Sequence, residues 1–251
     1  MKRLFQTVRE LWRDPMGRIG MLGILLVIVI AILAPVVAPY GPDKMVALPK
    51  APPSAEHWFG TDNYGRDIFS RILYGARVSL QVGVIAVGIA ATAGYVLGLV
   101  AGYFEGWVDR IIMCIMDIFF AFPSILLAIA LSSVLGSGLS SIIIPIAVIL
   151  VPPIARVAES TVQDIMPEDF IEAAQTSGAS PLKVIVFFII PNTFGRIFIY
   201  CTTQFSVSIL SASGLSFLGL GISPPTPEWG SMLNALRQQI YINPLITIIP
   251  G

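Results

Sequence analysis

Between Arg18 and Asp43, Arg77 and Glu105, Asp117 and Arg156, and Arg196 and Glu228, the chain carries no Asp, Glu, Lys or Arg. Uncharged tracts of that length, recurring along one chain, constrain the fold more than any other feature. In water they would leave a large apolar surface unburied. In a bilayer each can cross as a helix, with its backbone hydrogen bonds closed internally. Charged residues make up 12% of the chain and the mean hydropathy is +0.83. A soluble domain carries about twice that charge. The formal net charge of +0 gives no basic surface for nucleic acid.

Charge and proline divide the chain into segments. Residues 1 to 18 hold Lys2, Arg3, Arg9, Arg13 and Arg18 against Glu10 and Asp14. A basic cluster beside a first span predicts a cytoplasmic N-terminus. Leu4, Phe5, Val8, Leu11 and Trp12 recur at helical spacing, so this segment is expected to lie along the membrane surface. The apolar tract from Ile19 is too long for a signal-peptide core and is expected to stay as a first span over 19–38. Residues 39–77, with Pro39, Pro42, Pro49, Pro52 and Pro53, are too polar to span and should face outward by alternation.

Further spans are expected near 78–103, 111–135, 139–158 and 196–221, with the start of a sixth at 244–251. Pro123 is expected to kink the third, and Pro145, Pro152 and Pro153 to interrupt the fourth. Nine of the Lys and Arg residues then fall inside and six outside. Gly94, Gly98 and Gly102 recur every four residues on one helix face and predict a close-packing seam. Cys114 and Cys201 lie in apolar tracts, and His57 is the one histidine, so no metal site is expected.

Residues 168–190 are the most informative polar stretch. Asp169 and Glu172 occupy a first helical turn, where they favour the helix dipole. Gly178 is placed to end that helix in the left-handed conformation. Ser180 and Pro181 are then N-cap and N1 of a second short helix, which Pro191 is expected to stop. Ala173 and Ala174 keep the knuckle slim. Glu172-Ala173-Ala174, three residues, Gly178, twelve residues, Pro191 resembles the cytoplasmic signature of the binding-protein-dependent ABC importer permeases. Phe188 and Ile190 stand where that family has Ile and Leu.

Two further blocks resemble the dipeptide, oligopeptide and nickel branch of that family. They are Phe59-Gly60-Thr61-Asp62-Asn63-Tyr64-Gly65-Arg66-Asp67, and Leu215 to Gly221 followed by Pro224-Pro225-Thr226-Pro227-Glu228-Trp229-Gly230. The resemblance covers nearly the whole chain. It implies the all-α type I importer transmembrane fold, with residues 78–251 as permease core in the inner cell membrane. It implies that the 168–190 knuckle docks on separate ATPase subunits, which bind ATP and Mg. It also implies a second, homologous permease and an extracytoplasmic substrate-binding protein. Peptide is the commoner cargo, and nickel or a metal chelate the alternative. No Gly-x-x-x-x-Gly-Lys-Ser/Thr phosphate loop occurs in this chain, so hydrolysis is expected elsewhere.

Other residues carry open readings. Asp117 and Arg156 sit at comparable depth in neighbouring spans, and a structural ion pair is expected. Gln204, Ser208 and Ser211 share a helix face. They can line a substrate path or bond their own backbone. Asp67 and Arg71 have i,i+4 spacing and are expected to pair in a capped turn. Two rival classes fit poorly. An intramembrane serine protease needs Gly-x-Ser-x-Gly, but Leu218 follows Gly214-Leu215-Ser216 at the last place, and His57 lies outside the spans. A channel would need a selectivity-filter repeat, and none is seen.

Overall fold

The computed structural model describes residues 14–241 and 244–248. The amphipathic N-terminal segment expected over 1–18 lies almost wholly outside the described residues. The described residues form ten α-helices in order: α1 (Pro15–Val37), α2 (Ile68–Phe104), α3 (Gly106–Phe120), α4 (Ser124–Leu135), α5 (Ser140–Ile165), α6 (Asp169–Thr176), α7 (Pro181–Val184), α8 (Ile190–Phe217), α9 (Trp229–Leu236) and α10 (Pro244–Ile248). Among the described residues, four helical segments are long and apolar enough to cross a membrane, and α3 with α4 makes a fifth if that bent pair is one span.

The chain divides into two packing units, residues 1–79 with 224–251 and residues 80–223. In the first unit, Asp14 caps α1 by accepting from the Gly17 N–H at 2.7 Å, and Pro15 follows at the first helical position. Most of α1 carries its apolar side chains outward, with Ala31 and Ala34 buried. The polar block after it folds around Asp62. That carboxylate accepts from the backbone N–H groups of Tyr64 and Arg66 and from Arg66 Nε at 2.7 Å. Gly65 turns the chain at φ +76, with the Ala47 carbonyl where a Cβ would stand.

The expected Asp67–Arg71 pair does not form. Asp67 instead contacts His57 Nδ1 at 3.0 Å and caps α2 by accepting from the Ser70 N–H and hydroxyl. Arg71 reaches Asp62, Asp43 and the carbonyls of Pro42 and Pro225. The reason is steric order. A carboxylate at the N-cap must turn back toward the first-turn N–H groups, and so cannot also reach forward to i+4. Glu228 caps α9 in the same way, through Gly230 and Ser231, and Trp229 Nε1 donates to the Ile72 carbonyl. The two sequence blocks, more than 150 residues apart, therefore build one polar structure.

In the second unit, α5 is the most buried helix and runs unbroken through Pro145, Pro152 and Pro153. The expected interruption is absent because α5 is packed along most of its length, and neighbouring helices hold it across its missing hydrogen bonds. Pro123 does the opposite. Rather than kinking one span, it separates α3 from α4 at an angle of 86°. Residues 121–122 leave the helix before it, as the chain preceding proline tends to do. The expected glycine seam is close-packed. A Cβ on Gly94 would lie 2.9 Å from Ile154, and one on Gly102 would lie 2.8 Å from the Glu159 carbonyl. A Cβ on Gly98 would meet the Ala155 carbonyl and lie 2.5 Å from Ala158 Cβ.

Pro191 does not stop a helix either. Residues 181–217 run as one apolar helical segment, with a π-helical turn over Ile185–Ile189 immediately before it. Proline lacks an N–H, and its ring collides with the carbonyl four residues back. Widening the preceding turn, so that Ile190 donates to the Ile185 carbonyl, makes room for the ring without ending the helix.

Candidate functional site

The knuckle starts at Glu168, which has extended backbone angles and leads into α6. Asp169 and Glu172 stand in the first turn of α6, as expected. At its far end the Ser177 cap is followed by Gly178 at φ +77. The Gly178 N–H donates to the Gln175 carbonyl at 2.9 Å and the Ala179 N–H to the Ala174 carbonyl at 3.1 Å. These two bonds form a Schellman closure. Ser180 then turns extended and Pro181 opens α7. The chain passes from one helix to the next in four residues, and the positive φ at Gly178 lets both closing bonds form.

The knuckle is clamped on one side only. Ile171, Ala174, Val184 and Ile189 pack with Leu99 from α2 and with Val162 and Ile165 from α5. Ile171, Val184 and Ile189 are fully buried, and each removes about 1.5–3 kcal/mol of apolar exposure. Glu172, Ala173, Gln175 and Thr176 face outward. The 3.6-residue period therefore separates the two alanines. Ala173 leaves the outer face low, whereas Ala174 is part of the anchor and does not shape that face. One contiguous apolar cluster joins the knuckle's inner face to α2, α5 and the start of α8. Tyr95 adds a polar tie between α2 and α8, its hydroxyl 2.6 Å from Thr193 Oγ1.

A second feature lies among the long helices of the same unit. A cavity of about 180 Å³ is walled by Phe119 and Phe120 of α3, Ser124 of α4, Pro152 and Pro153 of α5, and α8. Gln204 and Ser211 are its polar contribution from α8. Ser208 is not at the cavity; it is fully buried and donates to the Phe205 carbonyl. Ser208 thus takes the second of its two readings, a bond to its own helix. Gln204 also donates to the Tyr200 hydroxyl at 2.6 Å, which sets its amide orientation.

Asp117 and Arg156 are brought together, with Arg156 Nη2 donating to Asp117 Oδ1. Glu159, one turn further along α5, is buried and accepts from Gln163 at 2.9 Å. Sequence reasoning passed over Glu159, although its i+3 spacing from Arg156 places it on the same helix face. It also missed the Asp62–Arg66 pair, whose i,i+4 spacing was legible.

Comparison with known proteins agrees along the chain. Residues 94–251 match a family described as the binding-protein-dependent transport system inner membrane component. Residues 3–53 match the N-terminal TM domain of oligopeptide transport permease C. The glutathione transport system permease protein GsiD of Escherichia coli O6:K15:H31 (strain 536 / UPEC) is 46% identical over 245 residues, covering 97% of this chain and 81% of that one. GsiD of Shigella boydii serotype 4 (strain Sb227) gives the same figures. Among solved structures, the MetNI methionine ABC transporter in inward-facing conformations matches with a TM-score of 0.60 at 18% identity, over 72% of this chain and 86% of that one.

Proposed function

The chain belongs to the binding-protein-dependent transport system inner membrane component family, and from that premise we propose that it is one of two permease subunits of an ATP-driven peptide importer in the inner membrane. The knuckle of residues 168–190 is its docking element for a separate ATPase subunit. One observation carries this: a rigid, Schellman-closed turn whose inner face is anchored to α2 and α5 and whose outer face is exposed and low. The shape suits a mechanical lever. ATP and Mg are bound by the ATPase subunits, and the energy reaches this chain through that contact.

Short peptides are the proposed cargo. The named relatives carry glutathione in their description, and glutathione is a tripeptide. The knuckle and the N-terminus are assigned to the cytoplasm, and residues 39–77 to the outer side. There the Asp62–Arg71–Glu228 block meets the substrate-binding protein. Gln204 and Ser211 line the path, and the second permease supplies its facing wall.

The test is reconstitution of the complete complex in vesicles, with uptake of labelled di- and tripeptides measured beside ATP hydrolysis. Gly178→Val places a β-branched residue at a positive φ, where it is strained by about 1–3 kcal/mol. Glu172→Lys reverses charge at the α6 N-terminus. Both variants are expected to insert and to lose peptide-stimulated hydrolysis. If both transport and hydrolyse like the parent, the knuckle is not the coupling element. Accumulation of nickel without peptide would replace the cargo assignment.

A further inference from the structure

Asp117 lies in α3, which with α4 makes one bent candidate span, and Arg156 lies in the candidate span α5, yet both are open. Their side chains remain 61% and 43% exposed. Arg156 is nine residues from the knuckle end of α5, about 14 Å along the axis, and Asp117 is eleven residues into α3, about 16 Å. Exposed charge at that depth does not face hydrocarbon; it faces a water-filled space or another polar surface. Helical register says which space. Phe120 is at i+3 from Asp117, and Pro152 and Pro153 are at i−4 and i−3 from Arg156, and all three wall the 180 Å³ cavity. The pair does not itself line the cavity; by helical register it stands next to it, toward the knuckle end of α5.

The pair is also incompletely satisfied. A guanidinium has five N–H donors in a planar fork. Among the described residues Arg156 uses one of them, Nη2, and Asp117 uses one carboxylate oxygen, Oδ1. A pair built only to hold α3 to α5 would be buried, as the Asp62–Arg66 pair is. An exposed guanidinium held at one corner by a carboxylate suits exchange of that carboxylate for another.

We propose that Arg156 is the subsite for the free α-carboxylate of the transported peptide, and that Asp117 is the internal carboxylate that occupies Arg156 until the peptide displaces it. The exchange replaces one charge-assisted contact with a bidentate one, and the displaced Asp117, already open, stays solvated beside the cavity. The inference rests on the peptide-importer reading. It predicts opposite signs for the two residues, which a structural ion pair does not. Removing Arg156 weakens peptide recognition. Removing the Asp117 charge removes a competitor and strengthens it.

The experiment measures apparent KM for uptake of a dipeptide and its C-terminal amide by the reconstituted complex. All variants are tested with the same saturating binding protein, so changes in the acid-to-amide ratio belong to this chain. The parent is expected to prefer the acid by about tenfold, the factor of one charge-assisted hydrogen bond. Arg156→Gln is expected to lose that preference, and Arg156→Lys to keep part of it. Asp117→Asn is expected to keep it with a lower KM for the acid. Co-purification with the ATPase subunits verifies that each variant assembles. An unchanged ratio in Arg156→Gln, or a loss in Asp117→Asn equal to that in Arg156→Gln, overturns the proposal while peptide import stands. A parent that imports no peptide overturns both.

Discussion

Replacing Gly98 by alanine should damage this protein more than the same change at any other glycine of α2. The added Cβ would meet the Ala155 carbonyl and lie 2.5 Å from Ala158 Cβ and 2.8 Å from the Glu159 nitrogen. Two of those three atoms are backbone, so no rotamer change relieves the clash. The helices must part by about an ångström to restore ordinary contact, a gap that forfeits roughly a quarter to a half of each dispersion well along the seam. Ala155, Ala158 and Val162 are fully buried there and would all be affected. Overpacking of a rigid interior costs about 1–3 kcal/mol, and backbone contact puts Gly98→Ala at the upper end. Gly94→Ala and Gly102→Ala, with nearest atoms at 2.9 and 2.8 Å, fall lower in that range. Gly88 has nothing within 4 Å and is the control on the same helix. The assay is thermal unfolding of the purified complex in detergent. At about 2–4 °C per kcal/mol for a chain of this size, Gly98→Ala should lower Tm by about 6–12 °C and Gly88→Ala not at all. If the two melt together, α2 and α5 are not in backbone contact at Gly98 and the seam argument is wrong.

Asp62→Asn should destabilise the outer block by about 3–5 kcal/mol, because buried Arg66 loses its carboxylate and buried Arg71 is left with the carboxylate of exposed Asp43 alone. Faster hydrogen exchange over residues 42–71 and 228–236 would show it, with exposed Lys44→Ala as the neutral control. Ala173→Trp and Ala174→Trp should fail differently: the first blocks ATPase co-purification with normal protease resistance, and the second opens the knuckle to protease. Equal behaviour would mean that the two alanines do not face opposite ways. In a background lacking Cys114 and Cys201, single cysteines at Ser54 and Ser177 should label from opposite sides of the membrane; both positions are exposed. Labelling from one side would remove the proposed topology.

What the sequence determined by itself are the properties that each residue or short stretch carries alone. Transfer free energy marked the apolar tracts, and α1, α2, α5 and the 181–217 segment lie on them. Backbone preference located the Gly178 closure and the Ser180–Pro181 restart, because a left-handed glycine and an N1 proline act within four residues. Three glycines at four-residue spacing announced a seam but not the helix that fills it. Only the tertiary structure decided that Ala155 and Ala158 enter there, that Arg71 turns to Asp62 and Pro225 rather than to Asp67, and that α5 continues unbroken through three prolines. It also decided that a π turn carries the chain past Pro191, and that Ser208 bonds its own helix while Gln204 and Ser211 open on a cavity. The physical reason is common to all of these. Local propensity is a sum over neighbours in sequence, whereas partner choice and tolerance of a missing hydrogen bond depend on which distant surface arrives and how closely it packs.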